Sequence, residues 1–182
     1  MKKYIVSIAI LLFSTTLFAQ KTEEQSKILS KHAVGVAAGP TIGCGLAYQY
    51  TSSKFSVQAT FFPLIRTFEL EYIQEDSFLE TYCVGLSFYY TLNQGKRTSL
   101  FLYQGNHFYY SKRVSQSRYD KKETYREIEA HNNNGLGLGI DFLLVENVSL
   151  KLMTGYASYN NFSELGLTGE IALLYHIPSK TK

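Results

Sequence analysis

The chain has 182 residues, a hydrophobic content of 45% and a formal net charge of +3. This length suits one domain, and the nearly balanced charge argues against a nucleic-acid partner, since nucleic-acid-binding proteins are normally far more basic. Its 15 Tyr, 12 Phe and 13 Gly, with only 3 Pro, favour a fold rich in β-sheet.

The first residues have the pattern of a secretory signal. Lys2 and Lys3 form a positive start, residues 5–12 form an apolar stretch, and Ala19 offers a cleavage site. We therefore expect a signal peptide over 1–19 and export through the Sec pathway. The alternative, a retained anchor helix, needs about 20 apolar residues, and the polar residues 14–16 interrupt the stretch too early.

Beyond a polar periplasmic leader at 20–31, side chains alternate between apolar and small or polar with a period of two, which is typical of strands. After residue 20 no apolar run is long enough for a helical membrane span. The alternation covers residues 32–177 and is followed by a short tail at 178–182. It predicts eight strands, at 33–39, 43–50, 55–62, 81–92, 99–111, 134–144, 148–157 and 165–177.

The connections between these strands alternate in length. Residues 51–54, 93–98 and 145–147 form short turns, whereas 63–80 and 112–133 are long. The connections at 40–42 and 158–164 are short to moderate in length. Short turns at one end and longer loops at the other are a habit of outer-membrane barrels. An even number of strands places both termini at the short-turn end, which would face the periplasm.

Charged residues are almost absent from the eight predicted strands, where only Asp141, Lys151 and Glu170 occur. A soluble barrel would carry charges along its solvent face. A lipid-facing charge costs roughly 2–4 kcal/mol at the membrane midplane, which explains an apolar outer face. The sheet must close because open edges are not tolerated in hydrocarbon. The sequence predicts an all-β fold, an eight-stranded antiparallel up-and-down transmembrane β-barrel.

In this architecture the chain resembles the small outer-membrane barrels of the OmpA, OmpX and OmpW type, over residues 32–177. The last strand, 169–177, resembles the insertion signal read by the barrel-assembly machinery, although here five residues follow Ile177. The resemblance implies a Gram-negative outer membrane as the location. It also implies outer-membrane lipids and lipopolysaccharide, and the assembly machinery during insertion, as partners.

The three strand charges are the main candidate site. The alternation places three charged side chains on the inner face of the barrel, those of Asp141, Lys151 and Glu170. Turns centred near Glu146 and between residues 160 and 161 would place Lys151 opposite both carboxylates. Buried charges are tolerated when they are paired, so we expect a lumenal ion-pair network. The alternative is a proton or ion path.

Gln104, Asn106 and His107 form a second candidate, a polar patch within the fifth strand. The apolar residues around the patch do not decide which of its side chains face inward. A bulge at Gly105 could reverse the facing partway along the strand. Some eight-stranded barrels are lipid A acyl-transfer enzymes with a His near a Ser, and Ser111 follows His107 by four residues. No matching motif is present, so no catalytic residue is assigned, and neither a metal nor a cofactor is expected.

Cys44 and Cys83 could form a disulfide in an oxidising compartment. The strand assignment places them on non-neighbouring strands and on opposite faces. Since a bridge needs Cβ atoms about 4 Å apart, we expect two free thiols.

Loop 63–80 is mainly acidic and loop 112–133 mainly basic, so the two could pair with each other. Residues 68–72 alternate in polarity, which suggests a hairpin that protrudes beyond the membrane and could bind an extracellular protein by edge addition. We expect a non-enzymatic barrel with a structural or adhesive role and a filled lumen. The alternatives are a narrow pore or small apolar-solute transporter, and a lipid-modifying enzyme.

Overall fold

The computed structural model describes residues 31–70, 75–117 and 124–178. The expected signal peptide, nearly all of the leader and most of the tail lie outside them. The described residues form eight strands: β1 (His32–Gly39), β2 (Gly43–Ser52), β3 (Phe55–Leu70), β4 (Glu75–Gln94), β5 (Thr98–Ser117), β6 (Thr124–Val145), β7 (Val148–Tyr159) and β8 (Glu164–His176). Each pairs antiparallel with the next, and β8 pairs with β1, which closes the barrel and confirms the predicted fold.

The period-two pattern separates an inner from an outer face. On β4, the side chains of Cys83, Ser87 and Tyr89 are buried inside the barrel, whereas Leu86 and Phe88 between them are exposed on its outside. Successive side chains of a strand point to opposite faces of the sheet. The same inside–outside division runs round the whole barrel.

Four central strands are much longer than predicted. The β2–β3 ladder ends at the Leu46–Phe61 pair and the β6–β7 ladder at the Asn134–Ser158 pair. Beyond these pairs, β3 to β6 continue to pair with one another. We call this four-stranded sheet, residues 63–70, 75–80, 112–117 and 124–133, the extension.

The extension corrects the expectation for the long loops. The hairpin suggested for 63–80 is present, with Leu70 paired to Glu75. Interpreting 112–133 as a loop was wrong, because both of its described arms are strand. A strand segment outside the lipid can carry charged side chains. The low charge content by which the other strands were recognised in the sequence is therefore absent from these segments.

The turn between β7 and β8 differs from the expected one and changes the register. Asn160, Asn161 and Phe162 all adopt positive φ angles, of 50°, 57° and 69°. The turn is therefore centred one residue later than expected. Lys151 lies opposite Ala172, and Glu170 opposite Met153. The expectation that Glu170 faces Lys151 across this ladder is wrong.

Candidate functional site

The connection between β1 and β2, residues 40–42, folds into the barrel, and we call it the inserted turn. Thr41 and Ile42 are both 0% exposed. Two glycines follow the turn with positive φ angles, Gly43 at 78° and Gly45 at 120°. Glycine adopts such angles without a steric penalty, so the chain can leave the barrel wall here and rejoin it.

Four strands hold the backbone and side chains of the inserted turn. The carbonyl of Pro40 accepts hydrogen bonds from His107 Nδ1 on β5 at 2.9 Å and from Asn133 Nδ2 on β6 at 3.1 Å. Thr41 Oγ1 donates to Glu170 on β8, and Thr60 on β3 donates to the carbonyl of Ile42. The turn is therefore anchored on several sides of the lumen.

Three inward glycines make room for the turn. A Cβ atom at Gly105 would lie 2.7 Å from the carbonyl oxygen of Thr41, and one at Gly135 would lie 2.7 Å from Thr41 Cγ2. A Cβ atom at Gly85 would overlap the carbonyl of Ile42. Sequence reasoning missed the inserted turn. The available signal was the set of inward glycines on β4, β5 and β6, which leave a space that some other segment must fill.

Lys151 forms a buried cluster in the lumen. Its Nζ donates a hydrogen bond to Gln49 Oε1 at 2.6 Å and lies 3.9 Å from Asp141 Oδ2. The ammonium group also lies 4.3 Å from the ring centroid of Tyr89 and 5.1 Å from that of Phe101. A carboxylate, an amide oxygen and two aromatic rings thus surround the cation, which compensates for its removal from water.

Glu170 belongs to a separate cluster with the inserted turn. Besides Thr41, its Oε1 accepts hydrogen bonds from Thr168 at 3.1 Å and from Tyr103 at 3.4 Å. Among the described residues, Lys151 forms its ion pair with Asp141 and not with Glu170. Asp141 and Lys151 therefore lie together as predicted. Glu170 instead accepts hydrogen bonds from hydroxyl groups.

The polar patch predicted on β5 divides between the two faces. The β5 register runs unbroken through Gly105, so the bulge considered there is absent from the described strand and the facing left open by the sequence is resolved. His107 points inward, whereas Gln104 and Asn106 point outward and bond each other at 2.8 and 3.1 Å. Gly105 is required for clearance from Thr41 and does not bend the strand.

The remaining lumen is packed with side chains. Toward the chain termini, His176 Nε2 lies 3.0 Å from Ser149 Oγ. The described residues contain no group of three metal-ligating side chains suited to a metal ion. The following interior side chains are all under 5% exposed: Gln49, Gln58, Ser87, Tyr89, Phe101, Tyr103, Lys151, Met153 and Leu174.

The outer surface is an apolar band that is interrupted on β5 by the outward Gln104 and Asn106. Rings of Tyr48, Tyr50, Phe55, Tyr90 and Tyr175 are exposed near the end of the barrel that holds both termini, where amphipathic aromatic side chains meet a membrane interface. Aliphatic and aromatic side chains cover the band above them, including Val36, Leu46, Val57, Phe61, Leu86, Phe88, Leu138, Leu152, Ile171 and Leu173.

This surface on a closed barrel defines the class of protein. A single-chain antiparallel barrel with an even number of strands and an apolar outer band is the architecture of outer-membrane proteins. The chain is therefore an eight-stranded transmembrane β-barrel of the outer membrane. The part of the chain that the structure describes has no helix with the length and apolar character needed to cross a membrane.

Comparisons with solved structures found several similar chains. Ail, the attachment invasion locus protein of Yersinia pestis, is similar with 18% identity over 80% of this chain and 94% of its own, at a TM-score of 0.43. The N-terminal barrel domain of Pseudomonas aeruginosa OprF is 9% identical. The match covers 82% of this chain and 99% of that domain, with a TM-score of 0.47. A major outer membrane protein of Thermus thermophilus is 12% identical. The match covers 80% of this chain and 99% of that protein, with a TM-score of 0.48. No family model and no curated protein matches the chain.

Proposed function

We propose that this protein is a non-enzymatic outer-membrane barrel with a closed lumen, and that it acts as a structural or surface-binding component of the cell envelope. The observation that carries the proposal is the filled interior. The inserted turn occupies the half of the lumen near the extension, and the Lys151 cluster occupies the half near the termini. An eight-stranded barrel has room for side chains or one small ligand, but not for both.

The packing of the lumen weighs against the pore and the transporter. A pore needs a continuous water-filled path, and the inserted turn lies across it, bonded to β3, β5, β6 and β8. A carrier of small apolar solutes needs an apolar cavity. The interior side chains here include Gln58, Ser87, Lys151 and Glu170, which are polar or charged and all buried.

The positions of the histidines weigh against the lipid-modifying enzyme. His107 bonds Pro40 inside the barrel, and Ser111 lies roughly 13 Å further along the strand at 3.3 Å per residue. The His176–Ser149 contact is also inside the lumen. His131 lies 3.8 Å from Glu129 on the extension, on the inward parity of β6. These three contacts lie away from the outer surface, where lipid acyl chains would bind, and the outward-facing His32 lies 2.7 Å from the hydroxyl of Tyr48.

The extension is the proposed binding surface. Its side chains include an outward cluster in which Glu80 lies 3.8 Å from Lys112 and accepts a hydrogen bond from Tyr82 at 2.6 Å. The β7–β8 turn covers part of the β6 edge, with Asn161 N bonded to the carbonyl of Asn132. Beyond that point, at 124–129, β6 has no further strand beside it among the described residues. An extracellular protein could add a strand there.

Lipid and assembly partners follow from the same location. The apolar band would contact outer-membrane phospholipid and lipopolysaccharide acyl chains, and the charged extension would lie at the level of the polar sugar and phosphate groups. The strand seam at β1 and β8 would close during insertion by the barrel-assembly machinery, after export by the Sec pathway.

A trimmed variant separates the structural from the binding role. Replacing 66–79 by Asn-Gly joins the paired residues Ile65 and Glu80, and replacing 113–127 joins Lys112 and Ile128, because Asn-Gly favours two-residue hairpins. Cells lacking the protein would be complemented with the full or the trimmed chain, and leakage of a periplasmic enzyme and attachment to surfaces would be measured. A structural role requires both chains to restore integrity. A binding role requires attachment to return only with the full chain. If deletion changes neither property, the proposal is wrong.

A further inference from the structure

We propose that Cys44 and Cys83 form an intrachain disulfide that fastens the inserted turn to the barrel wall. The two residues lie on β2 and β4, which are separated in the sheet by β3. On a regular barrel wall, residues two strands apart lie about 10 Å from each other, given a strand spacing of about 4.8 Å, which is too far for a bridge. The path of β2 removes this obstacle.

The first residues of β2 lie inside the wall. The β2–β3 ladder starts only at Leu46, so residues 43–45 are free to cross the inner face of β3. A Cβ atom at Gly43 would lie 3.2 Å from Gly85 Cα on β4, and one at Gly45 would lie 2.5 Å from Phe62 Cβ on β3. Cys44 lies between these two glycines, and Cys83 is two residues from Gly85 and is the cross-strand partner of Phe62.

The facing of the two side chains is also compatible with a bridge. Cys44 pairs with Ala38, so it lies on the outward side of the β1–β2 hairpin. Because the tip of this hairpin folds inside the wall, its outward side meets the inward side of β4, where Cys83 is buried. The Cys44 thiol is a hydrogen-bonding neighbour of the Cys83 thiol. Both cysteines are free thiols in the structure, as expected. The reason given for this, that opposite faces keep the two side chains apart, is wrong because it assumed that both strands lie in the wall.

The chemistry requires an oxidant, and we assign this role to a periplasmic protein that donates disulfides. A thiolate of the chain attacks the donor disulfide, which forms a mixed disulfide and releases one donor thiol. The second cysteine then attacks the mixed disulfide, which forms the Cys44–Cys83 bond and releases the other donor thiol. The chain loses two electrons and two protons, and the donor gains them. Outer-membrane proteins pass through the oxidising periplasm, where such bonds persist.

Thiol labelling of the protein as it accumulates in the outer membrane tests the bridge. Membranes would be dissolved in urea with an alkylating maleimide, with and without prior reduction, and the labels counted by intact mass. We expect no label without reduction and two labels after it. Two labels without reduction, or a disulfide-linked dimer on a non-reducing gel, would overturn the proposal.

Matched variants show whether the position matters. Cys44→Ser should take one label without reduction, since Cys83 has then lost its partner. Cys44→Ser combined with Leu46→Cys moves the thiol to an outward site on the lipid face, and this variant should take two labels. If the displaced thiol also forms an intrachain bridge, the proximity argument fails. These outcomes are independent of conductance and surface attachment, so the bridge and the proposed function can fail separately.

Discussion

The hydrogen bond between Thr41 and Glu170 should contribute strongly to holding the inserted turn in the lumen. Thr41→Val keeps the shape of the side chain and removes the donor. A hydrogen bond to a charged group is worth about 1.5–3 kcal/mol. Thr168 and Tyr103 still donate to the same carboxylate, Tyr103 at a long 3.4 Å. We therefore expect a loss near the middle of the range, about 2 kcal/mol, which is a roughly 30-fold change in the unfolding equilibrium.

The assay is urea unfolding of the barrel in lipid vesicles, arranged as a double-mutant cycle with Glu170→Gln. The cost of Thr41→Val should shrink to about 1 kcal/mol or less in the Glu170→Gln background, because the acceptor is then neutral. Thr60→Val is the matched control. It removes a buried hydroxyl that bonds the carbonyl of Ile42, and its effect should add to that of Glu170→Gln. If the effect of Thr41→Val adds in the same way, Glu170 does not hold the turn.

Three further predictions use the same protein. Lys151→Met should destabilise the barrel by somewhat less than the 3–5 kcal/mol typical of a broken buried pair, because Asp141 is 19% exposed. Adding Asp141→Asn should relieve part of the loss in urea unfolding, whereas adding Glu170→Gln should not; the opposite pattern would refute the cluster assignment. Gly135→Ala should cost about 1–3 kcal/mol by overpacking against Thr41, whereas Gly169→Ala, which meets nothing within 4 Å, should be nearly neutral; equal effects would count against the inserted turn. Unboiled protein should migrate differently from boiled protein on a denaturing gel, and recovery as a soluble protein with no such shift would rule out the barrel.

Where a segment crosses lipid, the sequence allowed its structure to be predicted. The apolar outer face of β4 and β8 and the scarcity of charge follow from the cost of polar groups in hydrocarbon, so the strands and the closed barrel could be inferred. The turn expected near Glu146 also predicted the correct β6–β7 register, with Asp141 opposite Lys151. In the structure this register depends on a shift between Leu143 and Val145, next to the link. The β7–β8 register could not be inferred in the same way, because nothing in the local pattern indicated three consecutive left-handed residues.

The interior depends on contacts between distant segments, which periodicity does not report. His107 seemed to belong with Gln104 and Asn106 because they are close in sequence, yet its partner is the carbonyl of Pro40, 67 residues away. Glu170 likewise bonds Thr41, 129 residues away. Glycine at an inward position can indicate a bulge or the close approach of another segment. In β5 the second explanation holds for Gly105, and only the folded chain distinguishes the two.

Conductance across a planar lipid bilayer tests most directly whether the lumen is closed. With the inserted turn bonded to β3, β5, β6 and β8 and the Lys151 cluster behind it, the purified wild-type protein should insert and carry no steady current. Large, stable channels that persist across applied voltages would contradict the closed lumen and would favour the pore.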